Sequence, residues 1–166
     1  MDGYKQLLQR VNARKRLATA IRLVDYFSVC ITAMVYIFLL VASLFGDDLR
    51  LTLNILLIPG IPFVLVSLMR GIIDAKRPYE VYDIYEMPPK NKSGCSFPSR
   101  HAFSAFSIGT LALRFLPAAG ASVLFCGVLL SASRVLLGKH FPRDVIAGAL
   151  IGIATSVLGM LPIILI

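Results

Sequence analysis

Long apolar runs separated by short polar segments extend through the chain, and five of them are long enough to cross a bilayer. An α-helix rises 1.5 Å per residue, so about 20 residues cross a ~30 Å hydrocarbon layer. The predicted spans are residues 24–45, 51–69, 99–116, 117–137 and 143–166. This pattern predicts an all-α, polytopic membrane helical bundle. Because no repeat or linker divides it, residues 1–166 are interpreted as a single domain.

The first 22 residues have a different pattern, in which basic residues separate apolar positions at helical intervals. This predicts an amphipathic helix that lies on the membrane surface. A basic tail without a binding role is the alternative. Because residues 1–22 contain no continuous apolar core, we expect no cleavable signal and a retained N-terminus.

Residues 74–98 form a long polar stretch, where we expect any chemistry in water to take place. Within it, Tyr79, Tyr82 and Tyr85 recur every three residues. This spacing places them either on one side of a short helix at the level of the lipid headgroups or in a packed loop.

The composition narrows the class of protein further. The chain is 57% apolar and 16% charged, with a mean hydropathy of +0.79, which excludes an ordinary soluble enzyme. A net charge of +8 on so apolar a chain indicates contact with anionic lipids and no nucleic-acid partner. Cys30, Cys95 and Cys126 have neither the count nor the spacing of a disulfide framework or a zinc site.

The cations are distributed unequally between the two ends of the predicted spans. Arg50 and Arg114 lie at one end, whereas the other fifteen of the seventeen cations lie at the end that includes the N-terminus. The positive-inside rule places this second end, and the long polar stretch with it, in the cytoplasm. We therefore expect a multi-pass protein of the cell membrane with its active site at the cytoplasmic face.

The two histidines, His101 and His140, both fall at predicted span ends on this side, close to arginines. His140 and Asp144 are four residues apart, so on a helix the carboxylate can hold one ring nitrogen while the other is free to attack. A surface ion pair and structural histidines are the alternatives.

Ser99 opens the third span after a proline, where serine is a favoured N-cap. Helix N-termini bind anions, so a phosphate docked there would meet backbone N–H groups, the Ser99 hydroxyl and His101 as a proton donor. Arg70, Arg77 and Arg134 can close around such a phosphate as forks. This set of side chains suits a phosphate ester or pyrophosphate. The sequence has neither a carboxylate cluster for magnesium nor a Walker motif, so we expect no metal and no nucleotide chemistry. Ser99 as a helix cap alone is the alternative.

Three motifs within residues 70–144 resemble those of the type 2 phosphatidic acid phosphatase (PAP2) family of membrane lipid phosphatases. The family's motifs are basic-x6-Arg-Pro, Pro-Ser-Gly-His and Ser-Arg-x5-His-x3-Asp. They correspond here to Arg70 through Pro78, to Pro98-Ser99-Arg100-His101, and to Ser133-Arg134 through His140 and Asp144.

The resemblance implies a two-step displacement that uses no metal or other cofactor. His140 would attack phosphorus to form a phosphohistidine, Asp144 would orient His140, and His101 would protonate the leaving oxygen. Water would then release phosphate. The implied phosphate-binding residues are Arg70, Arg77, Ser99, Arg100 and Arg134.

Three features depart from the family pattern. Arg70 stands where the family usually has lysine, and Lys76 is a candidate substitute. Arg100 replaces the usual glycine, so its backbone N–H remains available to phosphate and its side chain is a candidate to read a second phosphate or a headgroup. Only two predicted spans precede the first motif, which again places the site in the cytoplasm, whereas in many relatives it faces away.

The motifs leave the substrate open among phosphatidic acid, phosphatidylglycerol phosphate, polyprenyl phosphates or pyrophosphates, and phosphorylated prenyl-linked sugars. Phosphotransfer to another lipid is an alternative to hydrolysis. A zinc enzyme with His101, His140 and Asp144 as ligands is a second alternative, although the arginines would repel the metal. A non-catalytic bundle that binds or transports anionic lipids is a third. The oligomeric state is not predicted.

Overall fold

The computed structural model describes residues 2–46, 48–84 and 93–164. Its regular secondary structure in these residues is helical. The helices are α1 (Asp2–Ala13), α2 (Lys15–Leu44), α3 (Leu49–Ile73), α4 (Pro78–Val81), α5 (Arg100–Phe115), α6 (Pro117–Leu136) and α7 (Pro142–Ile164). The described residues contain no β-strand, so the all-α prediction is confirmed. Tyr85, Lys90 and Lys92 lie outside the described residues.

The five predicted spans correspond to α2, α3, α5, α6 and α7. In the described part of the chain, α2, α3, α6 and α7 are long and apolar enough to cross a membrane. α5 has 16 residues, or about 24 Å of helix, which is shorter than the hydrocarbon layer. It lies inside the bundle, where Phe103 and Leu111 are fully buried. The predicted membrane bundle is confirmed, with a short central helix as one of its members.

The N-terminal segment differs from the single helix predicted over residues 1–22. The helix breaks at Arg14, whose φ of −99° and ψ of 84° are not helical, and residues 15–22 already belong to α2. The break allows α1 to fold back onto the bundle. There Val11 packs with Ile21 and Leu137, and Leu8 is completely buried. The amphipathic helix is therefore limited to α1, and its apolar face is at least partly covered by protein.

Glycines on α7 allow this helix to pack directly against the backbone of α5. A Cβ atom on Gly152 would lie 2.5 Å from the carbonyl oxygen of Phe103, and one on Gly148 would also collide with the α5 segment. Small residues four apart permit close approach of membrane helices. The buried hydroxyls of Ser107 and Ser156 add a 2.7 Å hydrogen bond between the two helices. This packing sets the register between the first turns of α5 and α7, where motif residues lie.

The two ends of the bundle have different contents. The N-termini of α2, α5 and α7 meet the C-termini of α3 and α6 at one end, which carries the three motifs. Arg50 and Arg114 lie at the opposite end, in the first turn of α3 and the last turn of α5. An apolar cluster joins the helices towards that opposite end, formed by Leu39, Ile55, Ile58, Leu111, Ala112 and Met160.

Candidate active site

His140 lies in the short connection between α6 and α7. After α6 the chain turns through Gly138, whose φ of +65° falls in the left-handed region that favours glycine. The His140 N–H then donates to the carbonyl oxygen of Arg134 over 3.3 Å. Pro142 begins α7 two residues later. His140 is only 2% exposed, so this turn fixes an imidazole inside the end of the bundle.

Asp144, in the first turn of α7, faces the His140 ring, and Ser96 connects the two side chains. Nδ1 of His140 is 3.7 Å from Oδ2 of Asp144 and 3.4 Å from Oγ of Ser96. The Ser96 hydroxyl donates to the same Oδ2 atom over 2.5 Å, and the Phe141 N–H donates to it over 2.9 Å. The structure therefore brings His140 and Asp144 together as expected, with Ser96 as a link. Because Nδ1 faces this carboxylate, Nε2 is the ring nitrogen directed away from it.

The protonation of His140 follows from its surroundings. Burial is the largest influence and lowers the pKa of His140 below its ordinary value of 6.5, and the positive charges of Arg77 and Arg70 lower it further. The nearby negative charge of Asp144 opposes these effects without reversing them. His140 is therefore neutral at neutral pH, which is the form in which imidazole acts as a nucleophile.

The segment that leads into α5 is held from two sides. Arg70 is 5% exposed, and its Nη1 donates to the carbonyl oxygens of Ser96 and Pro98. The Ser99 N–H donates to the Asp144 carbonyl oxygen over 2.9 Å, and the Ser99 hydroxyl is the N-cap of α5, as predicted. Arg70 and Ser99 thus have structural contacts that place the N-terminus of α5 beside Asp144.

Arg77 is held by a second loop contact. Its Nε donates to the Gly94 carbonyl oxygen over 3.0 Å, and its backbone N–H donates to the Glu80 carboxylate over 2.6 Å. The same carboxylate accepts the Gly94 N–H over 2.9 Å. Gly94 has a φ of +68°, and a Cβ atom there would overlap the Asp74 carboxylate. Sequence reasoning missed Glu80 and Asp74 because acids in a polar loop have no pattern that separates them from solvated charges.

Arg134 forms an ion pair inside the bundle. Its Nε lies 2.6 Å from Oδ1 of Asp25 on α2, and Nζ of Lys139 lies 2.8 Å from the other carboxylate oxygen. Asp25 is 7% exposed. An ionisable residue inside an apolar span is itself a functional signal, and this signal could have identified Asp25 from the sequence.

His101 and Arg100 lie in the first turn of α5, where both are partly buried and line one end of a cavity. His101 lies within electrostatic range of Arg134 and His140. Lys76 is exposed and forms no ion pair with any described residue. The structure therefore places Arg70, and not its candidate substitute Lys76, within the site.

The described tyrosines of the polar stretch pack against the site. Tyr79 lies in the single turn of α4, with its ring centroid 5.9 Å from the Arg77 guanidinium. Tyr82 ends that turn and contacts the rings of Tyr4 and Phe141, with centroid distances of 5.9 and 6.3 Å. The short helix and the packing that the sequence offered as alternatives thus occur together for Tyr79 and Tyr82.

Tyr4 connects α1 to the loop that carries His140. Its hydroxyl donates to the Val135 carbonyl oxygen over 2.9 Å, and its ring lies 6.1 Å from that of Phe141. Burial raises the pKa of Tyr4, so its hydroxyl keeps its proton. Nothing in the basic pattern of residues 1–22 distinguished Tyr4 from the other apolar positions.

The zinc alternative required three ligands around one point. In the part of the chain that the structure describes, no group of three His, Cys, Asp or Glu side chains is arranged to hold a metal ion. The arginines around His140 would add to the cost of binding a cation there.

Comparisons with known proteins give a consistent family assignment. A family model described as the PAP2 superfamily matches residues 51–162. The chain is 41% identical over 61 residues to the bacitracin transport permease protein BcrC of Bacillus licheniformis, a match that covers 37% of this chain and 30% of that protein. It is 28% identical over 99 residues to a lipid A 1-phosphatase of Rhizobium johnstonii, covering 57% of this chain and 41% of that protein. The matches thus span less than half the length of these curated relatives.

Two solved structures resemble this chain over more than nine-tenths of its length. LpxE of Aquifex aeolicus superposes with a TM-score of 0.69 and 25% identity over 93% of each chain. A transmembrane PAP2-type phosphatidylglycerolphosphate phosphatase of Bacillus subtilis superposes with a TM-score of 0.70 and 20% identity, over 95% of this chain and 83% of that one. Since the family model also matches more than half of the sequence, the chain belongs to the PAP2 superfamily.

Proposed function

We propose that the protein is an integral membrane phosphatase that hydrolyses a lipid phosphate or pyrophosphate through a phosphohistidine on His140. The observation that carries the proposal is the placement of a buried, neutral imidazole. Nδ1 of His140 is directed to Ser96 and Asp144, which leaves Nε2 for phosphorus. Arginine side chains and the N-terminus of α5 surround the same end of the bundle.

In the first step, Nε2 of His140 forms a bond to phosphorus as the bond from phosphorus to the lipid oxygen breaks. His101 supplies a proton to that oxygen as it leaves. Asp144 and Ser96 stabilise the positive charge that develops on the His140 ring. The charge on the phosphoryl oxygens is stabilised by Arg70, Arg77, Arg134, the Ser99 hydroxyl and the Arg100 backbone N–H.

In the second step, water attacks the phosphohistidine and gives a proton to His101. The bond between His140 and phosphorus breaks, and inorganic phosphate is released. If an acceptor lipid took the place of water, the same intermediate would lead to phosphotransfer instead of hydrolysis. The substrate classes that suit the site are phosphatidic acid, phosphatidylglycerol phosphate and polyprenyl phosphates or pyrophosphates. The similarity to a lipid A 1-phosphatase and to a phosphatidylglycerolphosphate phosphatase supports a lipid phosphate.

The active site is proposed to face the cytoplasm. The described cations other than Arg50 and Arg114 belong to the end of the bundle that holds the site or to the segments leading into it. Those on α1 and at the start of α2 have no catalytic role and still favour a cytoplasmic position.

Phosphate release by the purified protein in detergent, with a chelator present, tests the proposal. Wild type and His140→Ala are compared on phosphatidic acid, phosphatidylglycerol phosphate and a polyprenyl pyrophosphate. We expect chelator-resistant release from at least one lipid and a loss of at least about 10³-fold in the variant, because His140 forms the covalent bond. Arg114→Ala, at the opposite end of the bundle, is the control and is expected to retain wild-type activity. Release that the chelator abolishes, or that His140→Ala retains, would contradict the proposal.

A further inference from the structure

A cavity of about 530 Å³ lies between α2, α3, α5 and α6 and begins at the first turn of α5. Arg100 and His101 form its polar end, and the rest of its wall is mainly apolar, with Val29, Phe63 and Ile108 among the lining residues. The volume is in the range of ligand pockets, about 300–1,000 Å³. Since α2 and α3 are long enough to span the membrane, the apolar part of the cavity lies at the depth of lipid chains.

Arg100 differs from the other three site arginines in its contacts. Protein oxygens hold a nitrogen of each of the others: carbonyl groups hold Arg70 and Arg77, and Asp25 holds Arg134. Among the described residues, Arg100 has no hydrogen bond or ion pair from its guanidinium, which lies 5.9 Å from the ring centroid of Phe63. A partly buried guanidinium with unused N–H groups is suited to bind an anion.

The position of the cavity shows which part of a substrate would enter it. His101, the proposed proton donor to the leaving oxygen, lines the cavity, whereas His140 and Arg77 do not. The leaving group therefore enters at the end formed by His101 and Arg100. A leaving group that suits this end carries its own negative charge close to the broken bond, followed by an apolar chain.

We infer that Arg100 binds the second phosphate of a lipid diphosphate whose hydrocarbon chain occupies the cavity. This inference rests on the proposed function. Nε2 of His140 bonds to the terminal phosphorus, and the bond from that phosphorus to the bridging oxygen breaks. The electron pair and the bridging oxygen leave with the lipid monophosphate, whose charge Arg100 neutralises while His101 supplies the proton.

The test compares a matched pair of substrates, geranylgeranyl diphosphate and geranylgeranyl monophosphate, on the full chain in detergent. Arg100→Ala is expected to lower kcat/KM for the diphosphate about ten- to hundredfold, since a hydrogen bond to a charged group is lost. The monophosphate is expected to change less than about threefold, because it has no second phosphate to lose a contact. Arg100→Lys should recover part of the loss, and Arg114→Ala should change neither substrate.

A second variant tests the apolar part of the cavity. Gly60 lines the cavity, and a Cβ atom there would meet nothing within 4 Å, so Gly60→Leu fills space without a clash at the backbone. We expect it to lower kcat/KM for geranylgeranyl diphosphate and to leave the five-carbon isopentenyl diphosphate nearly unchanged. An equal effect on both chain lengths would overturn the assignment of the cavity to the hydrocarbon chain.

The outcomes separate this inference from the proposed function. If wild type hydrolyses lipids through His140 but Arg100→Ala affects both geranylgeranyl substrates equally or not at all, only the role of Arg100 fails. A loss confined to phosphatidylglycerol phosphate would assign Arg100 to a phosphodiester headgroup and overturn the diphosphate assignment. If wild type releases phosphate from no lipid, the proposed function itself fails.

Discussion

At the scale of single residues, the site depends on how a buried imidazole is kept neutral and oriented. Oδ2 of Asp144 approaches Nδ1 of His140 only to 3.7 Å. The Ser96 hydroxyl links the two side chains, because it donates to Oδ2 of Asp144 over 2.5 Å and lies 3.4 Å from Nδ1 of His140. The spacing of His140 and Asp144 in the sequence predicts that they meet on one helix face. They do meet, but α7 begins only at Pro142, so the turn before the helix positions His140. Ser96 could not be predicted in this way, because its position depends on a loop that Arg70 holds through carbonyl oxygens.

The pKa of His140 can be measured directly, because the chain has only two histidines. Its pKa is lowered chiefly by burial, so the neutral ring persists as the pH falls below 6.5 and the nucleophile is lost only below that value. We expect an NMR pH titration of the protein labelled with ¹⁵N-histidine to show a midpoint below 6.5 for His140. The signals are assigned with His140→Ala. A midpoint at or above 6.5 in the substrate-free protein would contradict this account.

At the scale of helices, the hydrophobic pattern predicted which segments form the long helices of the bundle, but not that α5 is too short for a span, nor how the helices end or pack. The break at Arg14 follows from the burial of Leu8 and Val11 against the bundle, a tertiary contact that periodicity within residues 1–22 does not encode. α5 can be shorter than a full span because neighbouring helices, and not lipid, surround much of it. Gly148 and Gly152 carry a sequence signal for close packing, but their partner helix is known only from the structure.

Gly152→Ala tests the contact between α5 and α7. The added Cβ atom would lie 2.5 Å from the Phe103 carbonyl oxygen, so α7 must move away from α5 and take Asp144 with it. We expect a loss of about 1–3 kcal/mol in stability, as for other overpacked sites, together with reduced kcat. Thermal unfolding and phosphate release are measured in the same detergent.

Gly60→Ala is the matched control for this prediction, because a Cβ atom on Gly60 has open space around it. It is expected to keep or slightly raise the melting temperature, since alanine favours the helix. If both substitutions destabilised the protein equally, the loss in Gly152→Ala would not come from the close packing of α5 against α7.

At the scale of the whole molecule, charge and helix number agree on one orientation. Apart from Arg50 and Arg114, the described cations lie at the end of the bundle that carries the motifs, or in the segments that lead into it. The sequence thus predicts an orientation, whereas it does not predict the cavity between α2, α3, α5 and α6, which only the structure shows.

Cysteine labelling of intact cells tests the orientation. In a chain without its three native cysteines, Ala13→Cys places an exposed thiol at the site end and Gly46→Cys places one at the opposite end. We expect a membrane-impermeant maleimide to label Gly46→Cys from outside and to label Ala13→Cys only after lysis. The reverse pattern would place the active site outside the cytoplasm.

The central claim is that His140 carries the phosphoryl group between the two steps. The most direct measurement is a rapid alkaline quench of the enzyme during turnover of a lipid with a radiolabelled terminal phosphate, followed by peptide mapping. Phosphohistidine survives base, so we predict label on the peptide that contains His140 and none on that peptide in His140→Ala. Turnover at the wild-type rate without label on His140, or label on another residue, would contradict the account.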